Sequence, residues 1–420
     1  MLCLPAGTLV AAFNEEIRLH PPSPSDFGFY GYSVALSGNR ALVGDHGAAP
    51  HGVAYVLEPD AATGDWLPVA TLAPPVADPV VVGNAVDIDG NSAIVAGRLL
   101  GAEPGANDGA AYFFERQPDG NWLGVASRQV AGTMSDRLGI ADDIVALHGD
   151  FAVAGASHDD SIAQHAGSAY VFERNLGGTN AWGQTTKLVP DDLLSDDSFG
   201  ASVDVWGNRI VVGAPENGNL SEGALYVFER RHDGWHQAAK LTSPNPQSNG
   251  LFGQSASLWG DRILVGAYRE SHPGGAAYLF HQQDGIWELE AEFFSPVGTI
   301  TNEFGRSVAL TDGFAVVGEP SGPFSPPGAE SAYVFEQDAL GTWHPLSTLV
   351  GSDAVPEDMF GRSVAVANGR VLVGAYYSNA DRQHAGAAYL YVPEPNTGVL
   401  ISALAPSIGL WLLRRTRRRS

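Results

Sequence analysis

The residues best suited to nucleophilic chemistry are five serines, which occupy the same position in successive copies of a sequence repeat. Each lies two positions after a glycine, as in Phe-Gly-x-Ser: Ser33, Ser202, Ser255, Ser307 and Ser363. A catalytic serine needs a single setting beside a base, whereas a residue used five times serves the repeated structure. No Gly-x-Ser-x-Gly nucleophile elbow occurs either. We therefore predict no catalytic residue and a chain that is not an enzyme.

Histidine and acidic clusters are the candidates for metal binding. His232 and His236 stand four apart, but the Asp233-Gly234 between them is typical of a hairpin turn. His158-Asp159-Asp160 and the run from Asp191-Asp192 to Asp196-Asp197 are predicted to be solvated loops, with a cation site as the alternative. Cys3 is the single cysteine, which excludes an internal disulfide and Cys-based zinc sites. We predict no metal and no cofactor.

The charge of the chain argues against nucleic acid as a partner. The formal net charge is −24, and five of the 23 basic residues lie within the last seven positions. Residues 1–413 thus carry 18 basic against 47 acidic residues, a net −29. A body of this charge repels phosphate backbones and anionic lipid.

The chain contains seven copies of one sequence repeat, and these repeats must position any residues that bind a ligand. Each copy predicts four short strands, the second ending in Val-Gly or Ala-Gly: Gly44, Gly97, Gly155, Gly213, Gly266, Gly318 and Gly374. A period of 52 to 58 residues with four strands per unit is typical of a β-propeller blade. We predict an all-β, seven-bladed propeller over residues 12–391.

Aromatic residues recur once per unit in this pattern. The third strand of each unit contains a tyrosine. In six units a tryptophan begins the fourth strand, and an apolar residue usually follows six positions later, as in Trp235 and Leu241. The even spacing predicts that both residues lie on one face of the strand. We interpret these aromatics as packing between blades, with a stacking platform for sugars as the alternative.

The seventh unit has no fourth strand of its own. Phe13 to Leu19 matches Trp235 to Leu241 position by position, including a basic residue before the leucine. We predict that this N-terminal segment pairs antiparallel with residues 387–391, closes blade 7 and removes an exposed sheet edge.

The Phe-Gly start, the Val-Val-Gly-Ala-Pro second strand (Val211 to Pro215) and the Ala-Tyr-Val-Phe third strand resemble FG-GAP repeats, the blades of integrin α heads and of many bacterial surface proteins. The resemblance covers about residues 12–392 and implies extracellular ligand or cell-surface binding. It also implies a calcium loop between strands 1 and 2, but here that connection is a tight hairpin such as Trp206-Gly207-Asn208-Arg209. The nearest approach to a calcium loop is Asp87 to Asn91, and Asp87 falls inside strand 1. We predict no calcium in these loops.

Loop length indicates the functional face. The 2–3 and 4–1 connections of an antiparallel blade emerge on the same side of the disc, and here they are long and dissimilar, as in 156–167 and 376–386. Variable loops on a rigid scaffold are where binding usually occurs, so this loop face is the predicted binding face.

The C-terminal segment reads as a sorting signal. Val392-Pro393-Glu394-Pro395 precedes an apolar run from Thr397 to Leu413, which predicts one short transmembrane helix, and a basic cluster follows: Arg414, Arg415, Arg417, Arg418 and Arg419. The three parts resemble a PEP-CTERM signal, which implies an exosortase partner in a Gram-negative bacterium, with a plain tail anchor as the alternative. Residues 1–11 are interpreted as the remnant of an export signal, and residues 392–420 as the sorting segment.

These observations predict a non-enzymatic, exported protein that binds an extracellular glycan or protein. Its precursor would be anchored in the inner membrane and later reach the outer surface or the extracellular matrix. A secreted polysaccharide-processing enzyme and a purely structural surface component are the alternatives.

Overall fold

The computed structural model describes residues 13–75, 80–99, 109–130, 145–270, 274–297, 302–320, 330–379 and 381–393. These residues form seven four-stranded antiparallel sheets, the blades of a β-propeller, and contain no helix. Within each blade the strands follow in chain order from the inner edge outward, apart from the outermost strand of blade 7. The all-β, seven-bladed prediction is confirmed.

The strands of the first three blades have the following bounds. Blade 1 contains β2 (Tyr30–Ser37), β3 (Arg40–Asp45), β4 (Val53–Pro59) and β5 (Trp66–Leu72). Blade 2 contains β6 (Val80–Asp89), β7 (Ser92–Leu99), β8 (Gly109–Arg116) and β9 (Trp122–Val130). Blade 3 contains β10 (Val145–His148), β11 (Phe151–Ala156), β12 (Ser168–Glu173) and β13 (Gly183–Leu188).

The remaining blades repeat the arrangement. Blade 4 contains β14 (Ser202–Trp206), β15 (Arg209–Ala214), β16 (Ala224–Arg231) and β17 (Gly234–Leu241). Blade 5 contains β18 (Ser255–Trp259), β19 (Arg262–Ala267), β20 (Ala276–Gln283) and β21 (Ile286–Phe294). Blade 6 contains β22 (Ser307–Thr311), β23 (Phe314–Glu319), β24 (Ser331–Gln337) and β25 (Trp343–Leu349). Blade 7 contains β26 (Ser363–Ala367), β27 (Arg370–Ala375), β28 (Ala387–Pro393) and, outermost, β1 (Phe13–Leu19).

The N-terminal strand closes the ring as its sequence predicts. β1 runs antiparallel to β28, with Leu19 opposite Ala388 and Phe13 opposite Pro393. Both apolar ends of the strand are buried, Phe13 in the interface between blades 6 and 7 and Leu19 in the interface between blades 7 and 1. The two chain ends of the propeller therefore share one sheet, which leaves blade 7 with the same four strands as the others.

The outermost strand of each blade contains a bulge, and this corrects one prediction. In blade 4 the pairing of β16 with β17 shifts by one residue between Val227 and Phe228. Trp235 consequently packs in the interface between blades 3 and 4, while Leu241 packs in the interface between blades 4 and 5. The prediction that both residues share one face is wrong, because one extra residue in a strand reverses the alternation of its side chains.

The core consists of seven apolar clusters, one in each interface between neighbouring blades. The predicted role of the tryptophans is confirmed at several of these interfaces. Trp182 of blade 3 stacks on Phe113 of blade 2 with ring centroids 5.0 Å apart, and Trp235 meets Phe151 edge to face at 5.5 Å. An outer aromatic residue from one blade thus covers the sheet of its neighbour.

The Phe-Gly glycines allow neighbouring blades to approach at backbone distance. Gly253 has a φ of +89°, and a Cβ atom on it would lie 2.4 Å from the carbonyl oxygen of Ala224 in the preceding blade. Its own carbonyl oxygen lies against Gly213, where a Cβ atom would come within 2.0 Å. Only glycine fits both positions, which explains why the two glycines recur together in the repeat.

Candidate functional site

The five repeated serines are hydrogen-bond links between blades. Each donates its hydroxyl to the carbonyl of the positive-φ glycine at the start of the next blade, at 2.8 to 3.0 Å: Ser33 to Gly83, Ser202 to Gly253, Ser255 to Gly305, Ser307 to Gly361 and Ser363 to Gly31. The last of these joins blade 7 to blade 1. All five hydroxyls are buried and engaged, which supports the structural role predicted for them.

The acidic clusters have protein partners. Asp159 accepts hydrogen bonds from Lys187 at 2.6 Å and from Ser168 at 2.6 Å. Burial raises the pKa of Asp159, but the bonds from Lys187 and Ser168 outweigh it and hold that pKa below its usual range. Asp192 is paired with Lys240 at 2.6 Å. Among the described residues, no three His, Cys, Asp or Glu side chains converge as metal ligands.

The loop face carries a group of aromatic side chains at the junction of blades 7 and 1. We call it the junction patch, and it comprises Phe27, Phe29, Tyr32, His46, Tyr376, Tyr377 and His384. Its residues come mainly from the 4–1 loop that enters blade 1 and from the 2–3 loops of blades 1 and 7. The patch therefore lies on the face that the loop lengths predict.

The rings of the junction patch form a continuous layer. Phe29 stacks on His46 with centroids 4.8 Å apart and an interplanar angle of 12°. Tyr376 touches Tyr377 at 4.3 Å, and Tyr377 touches His384 at 5.0 Å. The outer members remain accessible, with Phe27 47% exposed and Tyr377 36% exposed. The buried rings beneath hold these two in place, so the layer presents a preformed aromatic surface.

Burial favours the uncharged form of Asp45, which lies beneath the junction patch, and of His46, which belongs to it. Burial raises the pKa of Asp45 to about 7, against the lowering effect of a hydrogen bond from the Ala48 backbone N–H. Burial lowers the pKa of His46 to about 4, so its ring is neutral at pH 7. The buried Tyr30 hydroxyl has no hydrogen-bond partner, and its pKa is raised by burial and by Asp45. The surface of the patch is thus aromatic without a fixed positive charge.

The backbone under the junction patch follows the repeat, whereas its side chains do not. Phe27 and Phe29 have φ angles of 59° and 63°, and the pairs at the same places in other blades are also left-handed: Asp196 and Ser198, Asn249 and Leu251, Glu357 and Met359. The loop shape is therefore common to several blades. Blade 1 has aromatic residues at loop positions where these other blades have polar or aliphatic residues. This difference is the sequence signal that could have identified the patch.

A second aromatic group lies at the opposite end of the central channel, on the side of the 1–2 hairpins. Trp206 contacts Trp259 with centroids 4.0 Å apart and His148 at 4.1 Å, beside a cavity of about 280 Å³. Asp87 and Asp204 also line this cavity, and each accepts a backbone N–H of the next blade at 2.6 Å. These two aspartates satisfy N–H groups on the inner edge of the ring, which is a structural role.

The predicted sorting residues are only partly described. Val392 and Pro393 are the last two residues of β28. Glu394, Pro395, Arg414, Arg415, Arg417, Arg418 and Arg419 lie outside the described residues, as do the apolar run and residues 1–11. In the part of the chain that the structure describes, no helix is long and apolar enough to cross a membrane.

Comparison with known proteins identifies the repeat. The family model described as FG-GAP repeat matches residues 132–172, 182–228, 235–280 and 343–391. Four segments of the seven-bladed propeller therefore match the FG-GAP repeat. The crystal structure of Saccharomyces cerevisiae Sqt1 aligns over 92% of this chain and 100% of its own, with 11% sequence identity and a TM-score of 0.47. No curated protein matches the chain.

Proposed function

We propose that this chain is a non-enzymatic, exported bacterial surface or matrix protein that binds a glycan through the junction patch. The observation that carries the proposal is a layer of seven aromatic rings, found once among the described residues of the propeller, with Phe27 and Tyr377 exposed at its surface. FG-GAP propellers are consistent with ligand binding at a surface, and loops on a rigid scaffold are the usual place for it.

The chemistry of the patch favours a neutral glycan. Sugar rings present C–H faces that pack on aromatic rings while their hydroxyl groups stay hydrated, and tyrosine adds a hydrogen-bonding hydroxyl. The rings are held by their neighbours before any ligand arrives, which reduces the entropy lost on binding. The net charge of −24 opposes polyanionic glycans through like-charge repulsion.

Binding measurements on the full chain with neutral bacterial exopolysaccharides test this proposal. Phe27→Ala and Tyr377→Ala should each weaken binding about tenfold or more, the loss expected for an aromatic anchor. Leu340→Ala is the matched control, because Leu340 is 91% exposed on a 3–4 hairpin at the opposite side of the disc. Equal losses in all three variants, or a wild-type chain that binds only a protein, would contradict the glycan assignment.

The enzymatic alternative predicts a different readout from the same samples. A polysaccharide lyase or hydrolase would release new unsaturated or reducing ends during incubation, whereas a binding protein leaves the polymer intact. A purely structural component would show neither binding nor release.

We also propose that the C-terminal segment directs exosortase processing from the inner membrane to the outer surface. Replacing all five arginines of the tail with serine should weaken membrane retention in an exosortase-bearing host, because the basic cluster opposes translocation. Pro395→Ala is a cleaner test of release than Pro393→Ala, because Pro393 is paired with Phe13 in the closing sheet. Recovery of mature protein that still contains Trp411 would replace this proposal with a permanent tail anchor.

A further inference from the structure

One position of the repeat supplies positive charge to carboxylates beside the tyrosine of the third strand. In three blades a basic residue in the outermost strand lies opposite the tyrosine of the third strand: Lys187 opposite Tyr170, Lys240 opposite Tyr226 and Arg18 opposite Tyr389. In each case the tyrosine hydroxyl and the basic group share one aspartate. The repeat thus builds a three-part unit of tyrosine, acid and cation.

In each unit the basic group and the tyrosine hydroxyl both lie within hydrogen-bonding distance of one aspartate. In blade 3, Lys187 lies 2.6 Å from Asp159, and the Tyr170 hydroxyl donates to the same carboxylate at 3.1 Å. Blade 4 repeats this with Lys240 and Tyr226 on Asp192 at 2.6 and 3.0 Å. Blade 7 does so with Arg18 and Tyr389 on Asp353 at 2.7 and 2.8 Å. Each buried tyrosine thus meets a carboxylate whose charge is balanced.

Blade 6 keeps the tyrosine but takes its acid, Glu319, from the end of the second strand, and it has no cation opposite the tyrosine. Thr348 stands opposite Tyr333 where the other blades have lysine or arginine. Glu319 is fully buried, and its carboxylate oxygens make no well-formed hydrogen bond, although the side chains of Tyr333, Ser295 and Asn302 lie close to them. The Tyr333 hydroxyl and both polar atoms of the buried Asn302 side chain also lack a well-formed hydrogen bond. No Lys, Arg or His side chain in the described part of the chain pairs with Glu319.

We propose that blade 6 binds a monovalent metal cation, Na⁺ or K⁺, between Glu319, Asn302 and Tyr333, where it supplies the positive charge that a lysine supplies in blades 3 and 4. Oxygen donors suit a hard cation, and an unpaired carboxylate in a buried site is costly. One carboxylate balances one positive charge, as it does in the sister units, whereas a divalent ion would leave one buried charge uncompensated. Burial raises the pKa of Glu319, against the lowering effect of Tyr333, Ser295 and Asn302. A proton is therefore the competitor of the metal ion.

Thermal unfolding of the full chain at fixed ionic strength tests the proposal. KCl and NaCl are compared with the chloride of N-methyl-D-glucamine, a cation too large to enter. A saturable rise in Tm of about 1–3 °C is expected with K⁺ or Na⁺. Glu319→Gln should abolish the rise, because it removes the charge. Thr348→Lys should abolish it as well and raise Tm without metal, because it restores the lysine of the sister blades.

A matched variant and a direct measurement complete the design. His344→Lys adds a lysine to the same strand near Asp338, away from Glu319, and should retain the response to K⁺ or Na⁺. Crystals grown with rubidium should show anomalous density beside Glu319 in the wild type. Equal Tm values in all three salts without rubidium density would overturn the proposal. A response to calcium alone, or to pH alone, would equally overturn it, in favour of a divalent site or a protonated carboxyl.

Discussion

Replacing Asp45 with asparagine should stabilise the protein in a pH-dependent manner. Asp45 ends the second strand of blade 1 and is 1% exposed, and its Oδ1 atom has no hydrogen-bond partner. Burial raises the pKa of this carboxyl to about 7. Asparagine has nearly the shape of the protonated acid and cannot ionise, so the substitution isolates the cost of the charge.

The size and sign of the effect follow from the two pKa values. In the unfolded state the pKa of Asp45 is about 3.9. Between about pH 4 and pH 7 the unfolded state has therefore lost a proton that the folded state retains. Wild-type stability therefore falls as pH rises through this window, by about 1.4 kcal/mol per pH unit. Between pH 5 and pH 8 the loss from Asp45 amounts to about 2–3 kcal/mol. The amide introduced by Asp45→Asn does not titrate, so the variant escapes this loss.

Urea unfolding of both proteins at pH 5 and pH 8 measures this difference. The variant should gain about 2–3 kcal/mol on the wild type between the two pH values. The lowered pKa of His46 acts in the opposite direction, but it is present in both proteins and cancels in the comparison. Asp284→Asn, at an exposed hairpin, should follow the wild type. A difference between Asp45→Asn and wild type that stays constant with pH would refute the reasoning.

Further predictions concern closure, the interblade links and calcium. Leu19→Ala should cost about 2–5 kcal/mol, as much as Leu349→Ala at the same place in blade 6, and a cost below about 1 kcal/mol would mean that the N-terminal strand does not close the ring. Ser363→Ala should cost about 1–3 kcal/mol in urea unfolding by leaving the Gly31 carbonyl unpaired, and Ser307→Ala should match it. A Ser363→Ala protein as stable as wild type would show that this link is not needed for closure. Chelation of calcium should leave Tm unchanged, and a rise of several degrees on adding calcium would show that the protein binds calcium after all.

The sequence alone determined the architecture, because the features that specify a blade are local and repeated. A glycine with positive φ, a Val-Gly strand end and a tight hairpin each act within a few residues, and seven copies make the pattern unambiguous. The closing strand was also readable, since Phe13 to Leu19 carries the same spacing as the outer strands of other blades. The structural role of the five serines followed from their number alone.

Tertiary structure decided what depends on residues far apart in the chain. The bulge that turns Trp235 and Leu241 to opposite faces arises from pairing with the neighbouring strand, so spacing within one strand could not reveal it. The junction patch combines Phe29 with Tyr377, which ring closure brings to a centroid distance of 5.6 Å. Tertiary structure also decides that Glu319 lacks a cation among the described residues, because the cation for one acid can come from a different strand or loop. Local pattern specifies a repeated blade, but the contacts between loops and strands specify where one blade differs from the next.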